Sequence, residues 1–438
     1  MRTWEAMQAP VKSYAIELNE KYRLAVAEIV AASKMLREAS EKSQRRVIPV
    51  PEADEEADEA AIDADIAATE PMGTTATNMR RKKSSSSSSS TKSPLPMINR
   101  HNMHREKLFV PIKATGGTLP RRLLALLATN DARGEDELIE VQRVRKFAQV
   151  MVYLHGFPDS AVHPIKLDTS SRLPHKLAEA WLEEAKKQNR GNDVAFLAFS
   201  FSGVPGSDEE LAFFDKTVSQ EVEDAVGVCE FVKRELLRDG GLIHIVGIST
   251  GAIIASLLRE KRVADSISAI AGLANLARGI RYDFTDEQIA QFDANGACWK
   301  EFYLPDGCEL PRNAVVSLDG QQEATDEELK TLETVPRKVF FRLHRRYYDE
   351  CRGGALDIVR SVSTASMAPL LVIHGDADAN VPFADGEELF ACAAEPKRFV
   401  AISKGNHLLT NSKHLKKALQ AIMQHAGGVN VDGSGALR

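Results

Sequence analysis

The stretch that decides the fold is residues 243–258, IHIVGISTGAIIASLL. It opens with apolar, mostly β-branched residues, which are typical of a buried strand. It closes with an apolar run that favours a helix, and the pentapeptide GISTG (residues 247–251) joins the two. Two glycines let a strand and a helix pass close to each other. The sequence therefore predicts a tight strand–turn–helix with Ser249 at its tip.

Short apolar runs and amphipathic stretches alternate on both sides of this turn, from about residue 104 onward. Alternation over this length implies a mostly parallel sheet that helices cover on both faces. Strands are predicted at residues 107–113, 122–128, 138–143, 149–154, 194–201, 242–247, 265–271, 369–374 and 398–403. Helices are predicted at residues 171–187, 215–237, 251–260 and 408–424.

Three further motifs each follow a predicted strand. They are YLHGFP at residues 153–158, HGDADANVP at 374–382 and KGNH at 404–407. With the serine turn, they make the chain resemble the α/β-hydrolase superfamily. The loop FSFSGVPGS (residues 199–207) is similar to one in the monoacylglycerol-lipase-like and serine-aminopeptidase-like branch, although Ser200 replaces an acidic residue and the second glycine is shifted by one position. The resemblance covers residues 105–425.

The resemblance implies a role for one residue in each turn. Ser249 would be the nucleophile, His407 the general base and Asp378 the acid that holds the base in one tautomer. The chain order Ser, Asp, His is that of the superfamily. Asp376 is an alternative for the acid, since it lies in the same Asp-rich turn.

The resemblance also implies an oxyanion hole. Its two donors would be the backbone N–H groups of Phe157 and Thr250. The alternative for residues 153–158 is an ordinary tight turn after a strand. No metal and no organic cofactor is expected.

The strand pattern is interrupted between residues 271 and 369. In this superfamily a cap lies over the serine at that point, so a helical cap is predicted after the sixth strand, at about residues 275–365. Its aromatic residues would either line an acyl pocket or pack the cap's own core: Phe284, Phe292, Trp299, Phe302, Tyr303, Phe340, Phe341, Tyr347 and Tyr348. Its basic residues would either meet an anionic head group or form a solvated face: Lys338, Arg342, Arg345 and Arg346.

The N-terminal hundred residues lie outside the resemblance. Residues 1–45 have helical apolar spacing, which suits either a partner-binding helix or one that folds back on the main domain. Residues 46–103 read as a disordered linker with acidic, basic and serine-rich parts. Its basic quartet at residues 80–83 is either a nuclear-import signal or simply solvated. The hydrolase-like domain would span residues 104–426, and residues 427–438 would form a flexible tail.

Composition excludes several other classes. The net charge of −6 argues against a nucleic-acid partner. Five cysteines without a CxxC pair indicate neither a disulfide framework nor a zinc site. No apolar run reaches the ~18 residues of a membrane span. No secretory signal is recognisable, so the cytoplasm is the default location.

The implied activity is that of a serine hydrolase that cleaves a carboxylic ester or thioester through an acyl-enzyme. The expected substrate is a lipid-like or other acyl ester with an apolar acyl part. Dehalogenases and epoxide hydrolases of this fold would carry aspartate in place of Ser249. Two alternatives remain: a serine acyltransferase with the same triad, and a non-catalytic binding or scaffold protein of this fold.

Overall fold

The computed structural model describes residues 103–113, 120–130, 146–157, 172–204, 207, 211–304, 310, 314–332, 336, 338–364 and 368–429. They all belong to one compact unit, Pro94–Arg438. The helix predicted at residues 1–45, the linker up to residue 102, the strand predicted at 138–143 and the tail from residue 430 lie outside the described residues.

The described residues form eleven strands in two sheets. The strands are β1 (His104–Ile112), β2 (Arg121–Thr129), β3 (Phe147–Leu154), β4 (Val194–Phe199), β5 (Leu237–Ile248), β6 (Ser266–Ile270), β7 (Ala297–Tyr303), β8 (Val316–Ser317), β9 (Lys338–His344), β10 (Leu370–Gly375) and β11 (Lys397–Ile402). Eight of them build the main sheet in the order β1-β2-β4-β3-β5-β6-β10-β11. Strand β2 is antiparallel to both of its neighbours, and all other pairs of this sheet are parallel. The predicted α/β class with a mostly parallel central sheet is confirmed.

Helices cover both faces of the main sheet. The helices that pack on it are α1 (Arg172–Lys187), α2 (Val218–Phe231), α3 (Thr250–Leu257), α9 (Phe383–Cys392) and α10 (Ser412–Gly427). Between α3 and α9 the chain forms α4 (Leu276–Gly279), α5 (Asp286–Asn295), α6 (Asp326–Thr331), α7 (Arg346–Arg352) and α8 (Ile358–Ser363). The helix predicted at residues 215–237 is shorter, because after α2 the chain makes a π-helical turn, Val232–Leu236, that leads directly into β5. No helix in the described ranges is long and apolar enough to cross a membrane.

Two hydrophobic clusters, one on each face, hold the layers together. Helices α1 and α10 contribute Leu177 and Ile422 to one cluster. Helices α2, α3 and α9 contribute Ala225, Ile253 and Leu389 to the other. The central strands are buried on both faces, as a parallel sheet between helices requires. Each fully buried leucine, valine or isoleucine contributes about 1.5–3 kcal/mol, so these clusters dominate the stability of the fold.

An insertion follows β6, at the predicted point in the chain. It contains α4 to α8 and the small antiparallel sheet β7-β9-β8, so it is a mixed helix-and-sheet unit rather than the helical cap expected from the sequence. The difference arises in β9, where Val339, Phe341 and Leu343 are buried and the residues between them are less so. This period of two is the pattern of a strand with one buried face.

Charged side chains are buried beneath the loop that follows β4. Arg121 of β2 pairs with Asp224 of α2, with Nη2 and Oδ1 at 2.6 Å. Asp224 also accepts a hydrogen bond from the Ser202 amide, at 2.8 Å. Lys216 pairs with Glu221 at 2.6 Å and donates to the Ser202 carbonyl. These pairs anchor the loop to α2, and nothing in the sequence pattern marked them.

Candidate active site

Ser249 lies in a strained turn between β5 and α3. Its φ of 55° and ψ of −123° are unusual for a residue with a side chain. A Cβ atom at Gly247 would lie 2.1 Å from the Gly251 carbonyl oxygen, and one at Gly251 would lie 2.2 Å from the Leu154 carbonyl oxygen. Only glycine fits at either position. The glycines therefore allow the close passage of strand and helix that lifts Ser249 out of the sheet.

The sheet brings the three predicted triad residues to one edge. Ser249 follows β5, Asp378 follows β10 and His407 follows β11. These strands run parallel, with β6 between β5 and β10. Their carboxyl ends therefore lie along the same edge, where ligands bind in open α/β sheets. The Ser249 amide also donates to the carbonyl of Ile270, the last residue of β6, at 2.9 Å.

His407 and Asp378 form a direct hydrogen bond. The His407 Nδ1 atom lies 2.8 Å from the Asp378 Oδ2 atom. The other carboxylate oxygen accepts from the Asn380 and Val381 amides, at 2.8 and 2.9 Å. Burial by itself would raise the pKa of Asp378, but hydrogen bonds from His374 and His407 outweigh it and lower that pKa. The acid therefore stays ionised and keeps the His407 proton on Nδ1, which leaves Nε2 free to accept one.

His374 is a second histidine beside the same carboxylate. Its ring is fully buried, and Nε2 lies 3.0 Å from the Val381 carbonyl oxygen and 3.4 Å from Asp378 Oδ2. Its Nδ1 atom has no hydrogen-bond partner among the described residues. The proton is therefore on Nε2, where it points to the acid turn. Sequence reasoning missed this contact, because a histidine at the end of a strand carries no signal of its neighbours in space.

The alternative acid, Asp376, has a different partner. Its carboxylate accepts a hydrogen bond from the Lys404 amide, in the turn after β11. The Ala377 amide donates to the Gly405 carbonyl between the same two turns, at 3.1 Å. Asp376 thus joins the turn after β10 to the turn after β11. The carboxylate that contacts His407 is that of Asp378.

The turn that contains residues 155–157 passes directly beside the serine. A Cβ atom at Gly156 would lie 3.3 Å from Ser249 Cβ and 3.8 Å from Ser249 Oγ. Phe157 is the next residue, and Thr250 opens α3, where the first amides have no partner within the helix. In the described ranges no group accepts a hydrogen bond from the Phe157 or Thr250 amide. Both remain available to an oxyanion beside Ser249.

His155 supports this turn from behind. Its Nδ1 atom lies 2.8 Å from the Gly156 carbonyl oxygen, and its Nε2 atom accepts from the Phe201 amide at 3.2 Å. The proton is therefore on Nδ1. The histidine joins the Phe157 turn to the loop after β4, which the buried charge pairs hold in place.

Ser249 and His407 are not hydrogen-bonded to each other in the structure. Among the described residues no group forms a hydrogen bond with the Ser249 hydroxyl, and the His407 imidazole bonds through Nδ1 alone. Catalytic hydrogen bonds of this kind are often long without substrate and tighten when it binds. The structure therefore joins His407 to Asp378 and leaves the Ser249 hydroxyl without a hydrogen-bond partner among the described residues.

Most aromatic rings of the insertion pack against one another. Phe157 stacks on Tyr347 with ring centroids 4.6 Å apart, and Phe302 packs on Phe341 at 4.8 Å. Phe284 joins Phe157 to Phe292. Two roles were predicted for these residues. The packing favours a core that holds the insertion against the Phe157 turn, rather than the lining of a wide acyl channel.

The basic residues of the insertion meet protein groups on its surface. Lys338 pairs with Glu301 at 2.9 Å, and Arg345 pairs with Asp349 at 2.7 Å. Arg342 lies over the Phe214 ring, 5.7 Å from its centroid. These contacts favour the solvated-face interpretation over an anionic head-group site.

Two further observations concern metal-ligating side chains and cavities elsewhere in the described residues. No cluster of three potential metal-ligating side chains occurs within the ranges that the structure describes. A cavity of about 440 Å³ opens between the end of β1, α2 and residues 355–357, and none of the candidate residues lines it.

No family model matches this chain. It is similar to the protein named YfhR from Salmonella typhi, with 41% identity over 49 residues, which is 11% of this chain and 17% of that protein. The YfhR protein of Escherichia coli strain K12 is 43% identical over 47 residues, 11% of this chain and 16% of that protein. The chain thus matches only about a sixth of the length of these curated relatives.

Solved structures resemble a larger part of the chain. A hydrolase described as putative, from Agrobacterium vitis S4, is 18% identical, covers 74% of this chain and 99% of its own, and has a TM-score of 0.47. The esterase domain of a Rhodothermus marinus protein is 16% identical, with the same two coverages and a TM-score of 0.42. Est1E from Butyrivibrio proteoclasticus, bound to ferulic acid, is 15% identical, covers 73% of this chain and 97% of its own, and has a TM-score of 0.44.

The fold follows from the chain's own topology. The main sheet is parallel except at β2, and helices pack on both of its faces. The turn after β5 places Ser249 in a positive-φ strand–turn–helix, and an insertion follows β6. The chain therefore has the α/β-hydrolase fold.

Proposed function

We propose that this chain is a serine hydrolase that cleaves a carboxylic ester or thioester of a small molecule. The observation that carries the proposal is the 2.8 Å hydrogen bond between His407 Nδ1 and Asp378 Oδ2. The Asp378 side chain is fully buried, and its carboxylate is ionised. Asp378 and His407 lie on the same sheet edge as the strained Ser249. A buried carboxylate is costly unless it is well paired. A base oriented by such a group beside a serine turn is the arrangement that activates a hydroxyl.

The chemistry proceeds in two halves. Ser249 Oγ attacks the carbonyl carbon while His407 Nε2 takes its proton and then delivers it to the leaving group. This gives an acyl-enzyme. Water attacks next, again with His407 as the base, and free acid leaves. Asp378 stays ionised throughout and stabilises the imidazolium.

The developing oxyanion would be bound by the Phe157 and Thr250 amides. Both lie in turns of fixed geometry beside the serine. A preorganised donor of this kind contributes about 2.7–4 kcal/mol to the transition state, because it needs no reorganisation when charge appears.

Labelling with a fluorophosphonate probe tests the nucleophile. We expect wild-type protein to label and Ser249→Ala not to. Ser363→Ala changes an exposed serine of α8 and is the matched control, so it should label like the wild type. A wild-type protein that folds but takes up no probe would refute the proposal and favour a non-catalytic scaffold.

Hydrolysis of chromogenic acyl esters of increasing chain length tests the reaction. The packed aromatic rings leave little room for a long chain, so short acyl groups should be preferred. Each reaction is repeated with an added alcohol acceptor. Free acid as the main product supports a hydrolase, whereas a new ester as the main product would identify an acyltransferase.

A further inference from the structure

One ring nitrogen of His374 contacts both ends of the turn that carries the candidate acid. His374 is the last residue but one of β10, and its side chain is fully buried. Its Nε2 atom lies 3.0 Å from the Val381 carbonyl oxygen and 3.4 Å from Asp378 Oδ2. The Val381 amide closes the turn from the other side, since it donates to Asp378 Oδ1 at 2.9 Å. The imidazole therefore braces residues 378–381 from inside the protein.

The two histidines meet at one oxygen of the acid. Asp378 Oδ2 lies 2.8 Å from His407 Nδ1 and 3.4 Å from His374 Nε2. The Asp378 side chain is fully buried, so solvent does not take the place of a lost donor at this oxygen. Hydrogen bonds to a charged group are stronger than those between neutral groups, and more so away from water. An N–H group at His374 Nε2 thus shares the negative charge that also orients His407.

The other ring nitrogen of His374 faces the backbone of α9. A Cβ atom at Gly386 would lie 2.3 Å from Nδ1, and Nδ1 has no hydrogen-bond partner in the described ranges. The ring also packs edge-on against Phe383, with centroids 5.8 Å apart. Phe383 and Gly386 are uncharged, so the charged group in contact with the ring is Asp378.

A proton on Nδ1 would be buried without an acceptor, which is costly. The geometry therefore favours a ring with a single proton, on Nε2. Even then the buried Nδ1 lone pair has no partner, and a buried polar atom in that state costs stability. An apolar ring of similar size would fill the space without this cost. The Nε2–H group is thus the one polar feature by which a histidine differs usefully from a phenylalanine here.

We propose that His374 is a positioning residue of the triad, whose Nε2–H group holds the acid turn in the conformation that orients His407. The inference rests on the proposed serine-hydrolase function and assigns a fourth side chain to it. His374 acts through Asp378 and takes no proton from the substrate. By sharing the carboxylate charge, it also limits how strongly Asp378 stabilises the imidazolium form of His407.

Two substitutions separate the donor from the packing. His374→Phe fills the space of the ring but has no N–H group, whereas the side-chain amide of His374→Gln carries one at the ε position. With 4-nitrophenyl acetate as substrate, we expect His374→Phe to lower kcat by about 10- to 100-fold, the range for loss of a hydrogen bond to a charged group. KM should change less than about threefold, because the orientation of the base matters in the transition state. His374→Gln should recover most of the loss.

The pH dependence of kcat/KM gives a readout that packing alone would not move. The profile should rise with pH as the base loses its proton. Without the His374 donor, more of the carboxylate charge acts on His407 and the imidazolium is more stable. The midpoint of the rise should therefore lie about 0.5–1 pH unit higher in His374→Phe than in the wild type, and near the wild-type value in His374→Gln.

His425→Phe is the matched control. His425 Nε2 lies 3.1 Å from the carbonyl oxygens of Ile267 and Pro369, so it also bonds the backbone of β6 and the start of β10. These carbonyls lie at the end of the strands opposite to the candidate site. The control should lower the melting temperature and leave kcat/KM and the midpoint of its profile unchanged.

Nitrogen NMR of wild-type protein with ¹⁵N-labelled histidine shows which nitrogen of His374 carries the proton. This measurement needs no variant, so it tests the contact even where His374→Phe does not fold. A proton on Nε2 is expected, and a neutral ring with its proton on Nδ1 would refute the inference.

Fluorophosphonate labelling separates this inference from the proposed function. If the wild type labels but His374→Phe keeps the wild-type kcat and midpoint, the positioning role is refuted and the hydrolase proposal stands. If His374→Phe and His425→Phe lose activity equally, with no shift of the midpoint, the role of His374 is structural only. If the folded wild type takes up no probe, the hydrolase proposal fails and this inference falls with it.

Discussion

His407 Nδ1 and Asp378 Oδ2 are 2.8 Å apart, although 29 residues separate them in the chain. The bond joins the turns after β10 and β11, which are neighbouring parallel strands. Around the carboxylate, His374 and the Asn380 and Val381 amides supply further donors. The Asp378 carboxylate is therefore a well-stabilised anion, and its contact with Nδ1 fixes the orientation of the His407 ring.

Removal of that charge should affect turnover far more than folding. We expect Asp378→Asn to lower kcat by about 10⁴, because an amide at this position stabilises the wrong tautomer of His407. Asp376→Asn is the matched control, since it removes a carboxylate from the same turn that bonds the Lys404 amide. Steady-state kinetics on the preferred ester compare the two. Equal losses would contradict the assignment of Asp378 as the acid.

The serine turn should not tolerate a methyl group at its second glycine. A Cβ at Gly251 would lie 2.2 Å from the Leu154 carbonyl oxygen, so Gly251→Ala must push α3 away from β3. We expect a loss of more than about 2 kcal/mol in the free energy of unfolding, within the range of backbone strain and overpacking. Gly427→Ala, at the end of α10 with no atom within 4 Å, is the control. Urea titration gives both values, and similar stabilities would contradict the proposed clash.

The buried Arg121–Asp224 pair should be strongly asymmetric in its response to mutation. Arg121→Met leaves the Asp224 carboxylate without its nearest cation, at a cost of about 3–5 kcal/mol. Arg122→Met changes the next residue of β2, which is exposed, and should cost less than about 0.5 kcal/mol. Replacement of both members of the pair, Arg121→Met with Asp224→Leu, should recover part of the loss. Chemical denaturation measures the free energy of unfolding of each variant. A double variant that is less stable than Arg121→Met would contradict the argument.

His244 should make the fold sensitive to acid. Its ring is buried beside Ser266, and burial, followed by the charges of His425 and Arg190, lowers its pKa to about 3. The unfolded state binds the proton more tightly than the folded state. The contribution of neutral His244 to the free energy of unfolding is therefore complete above the ordinary pKa of about 6.5 and is lost as the pH falls toward 3. The slope between these limits approaches about 1.4 kcal/mol per pH unit.

His244→Asn cannot take up that proton. The variant is expected to be less stable than the wild type at pH 7, because the ring's packing is lost, and to lose less stability between pH 6.5 and pH 4.5. Unfolding free energies at several pH values measure both slopes. If the two proteins lose stability in parallel, another group must be responsible for the acid sensitivity.

Much of the main sheet could be predicted because its signals are local. Strand β4 is apolar along its whole length, β10 is apolar over its first four residues, and the two glycines around Ser249 lie within five residues of each other. The sequence analysis missed strand β9 of the insertion, although its alternation of buried and less buried residues is also a local signal. Its aromatic residues equally suited a helical cap lined by aromatic rings. The sequence favoured Asp378 over Asp376 only through the resemblance of residues 374–382 to a family motif, because both aspartates lie in the same turn.

By itself, the sequence determined the strand–turn–helix at Ser249, the class of the sheet and the order in which serine, aspartate and histidine follow their strands. These features depend on periodicity and on residues adjacent in the chain. Only the tertiary structure decided that Asp378 meets His407 and that Arg121 meets Asp224 across 103 residues. Such contacts depend on how distant elements pack, and charged side chains buried by packing carry no pattern that a single sequence reveals.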